Sequence, residues 1–302
     1  MDMQVNISEE LKKELEESEI SEKEGIKENL LRMVRQNKLA VISAVVILLI
    51  ILAAVFAPVI APYGYSEQDL VNRLQAPSLK HLLGTDELGR DVFSRLLYGA
   101  RLSLVIGIFP TAISMIIGIV LGLIAGYYGG KTDYIIMRLC DIVLAFPSLL
   151  LAMVVMYTLG SSMMNIFIAL ALINWASVAR VVRSETLSLK ESEYVEAAHS
   201  IGVRNAVIMV RHILPNCVPS LIVLFTMNVP SSILSESSLS FLGIGAQPPT
   251  ASWGLMVTAG KQFLFTQPWI SLSPAVAIMI IVLAFNFLGD GLRDVLDPYL
   301  KE

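Results

Sequence analysis

The sequence predicts an all-α integral membrane protein with six transmembrane helices, and three observations carry that reading. Only 16% of the 302 residues are charged and 55% are hydrophobic, where a soluble domain keeps about a quarter charged; the mean hydropathy is +0.68. Apolar runs near the ~20 residues needed to cross a bilayer recur along the chain. With the N-terminus placed inside, 16 of the 22 Lys and Arg residues fall on inner segments, as the positive-inside rule requires. Both termini are therefore expected in the cytoplasm. The net charge of −4 and the lack of a basic patch give no reason to expect nucleic acid.

The spans follow in order. Residues 1–38 form a polar tail, its first 29 residues rich in Glu and Lys and read as solvated or loosely helical. The first span, 39–61, follows a tail too long for a signal peptide and has no small-residue cleavage site after it, so it reads as an anchor. The second is Leu102–Tyr127, with Pro110 inside; the third Ile135–Leu159, with Pro147; the fourth Asn165–Val182. The fifth runs from Cys217 to about Leu234, with Pro219 and Pro230, and fades into SSILSESS; the sixth is Ile270–Leu288, with Pro274. Neighbouring helices can satisfy the carbonyls that these prolines free. Cys140 and Cys217 lie in apolar runs and read as small buried hydrophobes.

Between spans, residues 62–100 form an outer segment. Leu88, Val92 and Leu96 recur there at helical spacing, which predicts a short amphipathic helix on the outer surface. Residues 241–269 form a second outer segment, with Gly243, Gly245, Pro248 and Pro249 for turns, and Trp253 and Trp269 suited to the membrane–water interface. Residues 101–290 make a core of five spans, and 291–302 a cytoplasmic tail that begins just after Asp290 and contains Arg293, Asp294 and Asp297.

Inside that core, the cytoplasmic loop 184–216 is the informative one. Ser188 followed by Glu191 has capping-box spacing, predicting a helix from about Leu189. Gly202 ends it, and Asn205 caps a second helix reaching about His212, before Pro215. A helix, a glycine turn and a helix project into the cytoplasm. The first helix carries Glu196, Ala197 and Ala198 together, and paired alanines give a thin surface that can enter a groove on another protein. A membrane-surface hairpin without a partner is the alternative.

Other motifs lead nowhere chemical. AGYYGGKT, Ala125–Thr132, has phosphate-loop spacing, but a span rather than a strand precedes it and its first position is Ala125. His81, His199 and His212 are scattered, and no serine sits in a nucleophile elbow, so no enzyme chemistry is expected. Arg138 and Asp141, three apart, read as a structural pair near the inner end of the third span. Glu236, beside Ser235, Ser237 and Ser238, is a candidate for lining a path or gate, or else an interface residue in water.

EAAHSIG followed by HILPN resembles the EAA loop of type I ABC importer permeases, with Glu196, Ala197, Ala198, Gly202, Leu214 and Pro215 matching. His212 departs from the general pattern, but RHILPN is the form associated with the dipeptide and oligopeptide branch. HLLGTDELGRDVFSRLLYGARLSL, SLSFLGIGAQPPTASWG and FNFLGDGLRDVLDP are similar to the C-type permease of that branch, so the resemblance covers about 39–298. It implies the type I permease fold in a bacterial or archaeal cell membrane. It further implies a homologous B-type permease, two cytosolic ATPases docked on the EAA loops, and an extracytoplasmic binding protein that delivers a peptide. ATP and Mg would be bound by the ATPases, and this chain would hold no cofactor or metal of its own. Import of nickel, glutathione or another small solute is the alternative within the family; an ion-coupled carrier would show repeats around mid-span charges, and none is evident.

Overall fold

A computed structural model describes residues 37–296; the expected tail up to Gln36 and the last residues after Leu296 lie outside it. Within the described residues the chain is helical, with one isolated bridge between Thr85 and Asp91. Five helices are long and apolar enough to cross a membrane, and a bent pair supplies a sixth crossing.

Helix α1, Lys38–Val55, starts where Asn37 Oδ1 accepts a hydrogen bond from the Ala40 amide at 3.1 Å. It breaks at Phe56, and a single turn, α2 (Ala57–Ile60), completes the expected first span. Helix α3, Val92–Tyr128, is 37 residues long. Asp91 caps it, its carboxylate accepting from the Ser94 amide at 2.7 Å. The predicted amphipathic surface helix is therefore not a separate element. Val92 and Leu96 are the first turns of the second span, and Leu88 lies in the turn before the cap.

Helices α4 (Gly130–Ala145) and α5 (Ser148–Leu159) meet at an angle of 91°. Pro147 disfavours the α conformation in the residue before it, and Phe146 is extended, at φ −95° and ψ 141°. The third span, expected to be continuous, is thus broken at Pro147. Helix α6, Met163–Lys190, extends two turns beyond the expected fourth span. It packs along α3, where Gly118, Gly122 and Gly126 face it at four-residue spacing. A Cβ at Gly122 would lie 2.7 Å from the Ala179 carbonyl oxygen, so the small residues let the two backbones approach closely.

Helix α7 is Glu193–Ser200. Helix α8, Asn205–Phe241, then runs without a break from the loop after α7 through the fifth span. The second loop helix was expected to stop before Pro215. Instead the residues Met209–Ile213 adopt a π turn, and Leu214 continues as α helix. The wider turn makes room for the Pro215 ring, which in a regular α-helix clashes with the carbonyl four residues back. A helix not anticipated from the sequence, α9 (Trp253–Gly260), lies in the second outer segment. Helix α10, Trp269–Leu296, carries the sixth span and continues through Asp290, Arg293 and Asp294. The start of the expected cytoplasmic tail is therefore the end of this helix, tied to α1 through Asn37 Nδ2 and Asp294 Oδ2 at 3.3 Å.

Candidate functional site

In the loop expected to be cytoplasmic, α7 stands between the ends of α6 and α8. Ser188 does not cap it. That residue is still within α6, and the Ser192 hydroxyl donates back to the Leu189 carbonyl at 2.5 Å, so α7 begins at Glu193. Its C-terminus is closed as the glycine predicted. Gly202 has φ +82°; its amide donates to the His199 carbonyl at 3.0 Å, and the Val203 amide to the Ala198 carbonyl at 3.1 Å. That pair of bonds is the Schellman closure, which needs a left-handed residue at Gly202.

The two alanines part company. Val195 and Ala198 are buried against Tyr127, Ile208, Met209 and Ile213, whereas Glu196, Ala197, His199 and Ser200 are exposed and Ile201 is 81% exposed. The expected surface of adjacent alanines is corrected to one alanine, Ala197, flanked by Glu196 and Ile201. A helix turns 100° per residue, so neighbours need not share a face. Four bonds moor this region. Lys190 Nζ donates to the Tyr127 carbonyl at 2.7 Å, and the Tyr127 hydroxyl to Asn205 Oδ1 at 3.1 Å. Asn216 Nδ2 donates to the Tyr194 hydroxyl at 3.3 Å, and Arg183 Nη2 to Asp133 Oδ2 at 2.6 Å.

Glu236 is fully buried inside the subunit. Its Oε1 accepts from the Ser240 hydroxyl at 2.7 Å and the Ser252 hydroxyl at 3.0 Å. Ser252 also caps α9, accepting from the Leu255 amide at 3.1 Å. Glu236 therefore fixes α9 to α8 from within. The serines beside it in sequence, Ser235, Ser237 and Ser238, are not its partners; Ser240 lies one turn along the same helix, and Ser252 comes from a different segment. Trp253 is buried inside the subunit too. Its ring lies over Gly99, and its indole N–H donates to the Leu96 carbonyl at 2.9 Å.

The outer segment holds a second cluster of charge. Asp86, Arg90, Asp91, Arg95 and His81 are all buried. Arg90 Nε meets Asp86 Oδ2 at 2.7 Å, Arg95 Nε meets the same oxygen at 3.6 Å, and Arg95 Nη1 donates to the Tyr65 carbonyl at 2.8 Å. His81 Nδ1 lies 3.0 Å from Asp91 Oδ1. Burial pushes the Glu87 carboxyl above its ordinary range, against the pull of Arg90.

The expected Arg138–Asp141 pair is present at 3.6 Å, and Arg180, which the sequence did not suggest, holds the same carboxylate at 2.6 Å. AGYYGGKT is a glycine joint: Gly129 and Gly130, at φ +63° and +55°, connect α3 to α4. Among the described residues no group of three His, Cys, Asp or Glu side chains could hold a metal ion.

Comparison with known proteins accords with this arrangement. The family described as "Binding-protein-dependent transport system inner membrane component" matches residues 118–302, and "N-terminal TM domain of oligopeptide transport permease C" matches 29–77. A dipeptide transport system permease protein of Alkalihalophilus pseudofirmus is 46% identical over 270 residues, covering 89% of each chain. A glutathione transport system permease protein of Pectobacterium atrosepticum is 47% identical over 273 residues, 89% of this chain and 90% of the relative. The glutathione transport system permease protein of Escherichia coli O157:H7 is 48% identical over 273 residues, 89% of each.

Proposed function

Because this chain belongs to the family of binding-protein-dependent transport system inner membrane components, we propose that it is the C-type permease of an ATP-driven importer of dipeptides or oligopeptides. The observation that carries the proposal is α7: an exposed helix of Glu196, Ala197 and Ile201, closed by a left-handed Gly202, on a loop otherwise moored to the spans. In this reading it is the surface on which a cytosolic ATPase sits. Two such ATPases bind and hydrolyse ATP with Mg; this chain carries no catalytic group. A homologous B-type permease completes the translocation path, and an extracytoplasmic binding protein delivers the substrate to the outer segments. Both termini are cytoplasmic.

Movement follows from differential binding. ATP favours one arrangement of the ATPase pair, and the docked loops pass that preference to the spans. Glu236 has its place in this scheme as the group that moves α9 together with α8. Import of glutathione is the second reading, supported by the relatives of that name at 47–48% identity.

The test is reconstitution of the whole complex in sealed vesicles, with ATP supplied on the cytoplasmic side. ATP-dependent uptake of a labelled dipeptide that exceeds uptake of glutathione is expected. Uptake of glutathione alone transfers the proposal to the second reading, and uptake of either without any ATPase overturns both. Cysteines at Ser66 and Gln262 should label from outside, and one at Lys301 from inside.

A further inference from the structure

The faces that the spans leave uncovered differ in chemistry. Within the expected spans, the exposed residues of α1, α3 and α10 are all apolar, Ile113 and Ile116 of α3 among them. Those of α6 and α8 include Ser177 and Ser231. Beside these serines stand two half-buried asparagines, Asn174 on α6 and Asn228 on α8. A helix turns about 100° per residue, so Asn174 and Ser177 lie about 60° apart around α6, and Asn228, Ser231 and Ser235 share about 60° of arc around α8. Asn174 Nδ2 donates to the Ser232 hydroxyl at 3.4 Å, which places the two strips alongside each other. Asn174 is nine residues past Asn165 and eight short of Val182. It therefore stands at the middle of its expected span, with at least about 12 Å of helix on either side.

A polar group at that depth is costly against acyl chains unless it is hydrogen-bonded. The serines are satisfied within their own helices. The Ser177 hydroxyl donates to the Asn174 carbonyl at 2.9 Å, Ser231 to Met227 at 3.4 Å, and Ser235 to Ser231 at 2.8 Å. Each has spent its only donor and presents lone pairs outward. The asparagines are less engaged. Asn174 makes the one bond to Ser232, and among the described residues the Asn228 amide meets no partner. Such groups at mid-span face another chain or water rather than lipid. The strips are rich in acceptors, and the matching strip of a homologous permease would set acceptors against acceptors. Water and the N–H groups of a peptide main chain supply the missing donors, and the two asparagine amides can donate to its carbonyls. None of the five side chains is charged, so the surface recognises main chain and not the charge of the substrate's side chains.

We propose that Asn174, Ser177, Asn228, Ser231 and Ser235 line the water-filled path of the assembled transporter and bind the N–H and C=O groups of a peptide main chain as it passes. The inference rests on the reading of the chain as a peptide permease, and adds path residues and the chemistry they recognise.

The test uses the complete transporter, with its partner permease, ATPases and binding protein, in sealed vesicles. Cysteines replace Ser231, Asn228 and, as a control on the apolar face of α3, the mid-span Ile113; the parent chain controls for Cys140 and Cys217. A charged methanethiosulfonate, which reacts with thiols in water and not in lipid, is applied from each side, and its attachment to this chain is read by mass. Ser231→Cys and Asn228→Cys should react at least tenfold faster than Ile113→Cys from one side or the other. Glycyl-leucine with ATP should slow that reaction several-fold. Asn228→Leu should lower ATP-dependent uptake several-fold, and Asn228→Gln, which keeps the amide, should recover most of it. Rates no faster than the control mean that lipid or another chain seals the strips, and overturn the inference. Reaction that glycyl-leucine does not slow places the water off the path and overturns it equally, as does uptake that Asn228→Leu leaves intact or Asn228→Gln does not recover. Where the parent complex still imports glycyl-leucine, these outcomes overturn this inference alone. No ATP-dependent import of any peptide by the parent complex overturns the proposed function beneath it.

Discussion

In the segment before α3, expected to lie outside, Asp86, Arg90, Asp91 and Arg95 are all buried, whereas in the loop helix α7 Glu193, Glu196 and His199 are all exposed. The charges of the outer cluster are satisfied by one another and by the backbone, inside the subunit. The α7 charges have water around them, and beside them Ile201 leaves an aliphatic side chain uncovered. One cluster is closed on itself; the other is held at its base and open at its tip. A receiving platform for a partner that arrives and leaves suits the first, and a docking knob suits the second.

The contrast can be broken most forcefully at Asp86. Asp86→Ala leaves Arg95 buried without its carboxylate and Arg90 with only Glu87, 3.2 Å away, and breaking a buried pair costs about 3–5 kcal/mol. Thermal unfolding of the detergent-solubilised chain should show a large loss, and an unchanged midpoint would mean that the outer cluster is not what stiffens that segment. Gly202→Val comes next. A β-branched residue at φ +82° is strained by roughly 1–2 kcal/mol, enough to misdirect α7 while the spans still insert. ATPase retention on the purified complex should fall, and transport with it; full retention would show that the glycine turn does not aim the helix.

The two alanines sharpen the comparison further. Ala198→Trp should overpack the interior beside Tyr127 and Ile213 and destabilise the subunit itself by about 1–3 kcal/mol. Ala197→Trp should leave stability within about 0.5 kcal/mol, as surface changes do, yet weaken ATPase binding roughly tenfold. If both act on binding alone, Ala198 faces the partner and not the core. The smallest effect belongs to Glu87. Its folded pKa is raised by burial, so its protonated form favours folding: that stability is fully present below the unfolded pKa of about 4.3 and is lost as pH rises through the folded value. Glu87→Gln should flatten the stability curve just above pH ~4.3, and an unaltered slope would remove Glu87 from the account.

Much of this was legible in the residues. The apolar runs located the crossings because a span must be apolar along its length, and Gly202 announced its turn because few residues accept positive φ. Helix ends were less legible. Leu88 continued the periodicity that begins at Val92, but Asp91 caps the helix, and a cap outranks one more apolar residue at the right spacing. Pro215 looked like a stop and is carried through on a π turn, which depends on where the preceding turn can widen. Pro147 looked tolerable and instead breaks its span. The faces of α7 were unreadable for another reason: which of two adjacent alanines is buried is set by Tyr127 and Ile213, residues far away in sequence. The same holds for Arg180 on Asp141 and Ser252 on Glu236, contacts that exist only once separate helices are side by side.

The π turn at Met209–Ile213 has a mechanical consequence. By letting α8 pass Pro215 unbroken, it joins the loop after α7 and the fifth span into one helix of 37 residues, about 55 Å long. A rod pivoted near its foot multiplies small rotations: each degree of tilt at the near end carries the far end about 1 Å. Glu236, close to that far end and bonded to Ser252, would drag α9 through the same arc. A displacement large enough to part or seal side chains at the far end then needs only a few degrees of rocking at the near one, wherever α8 moves as one piece through Pro219 and Pro230.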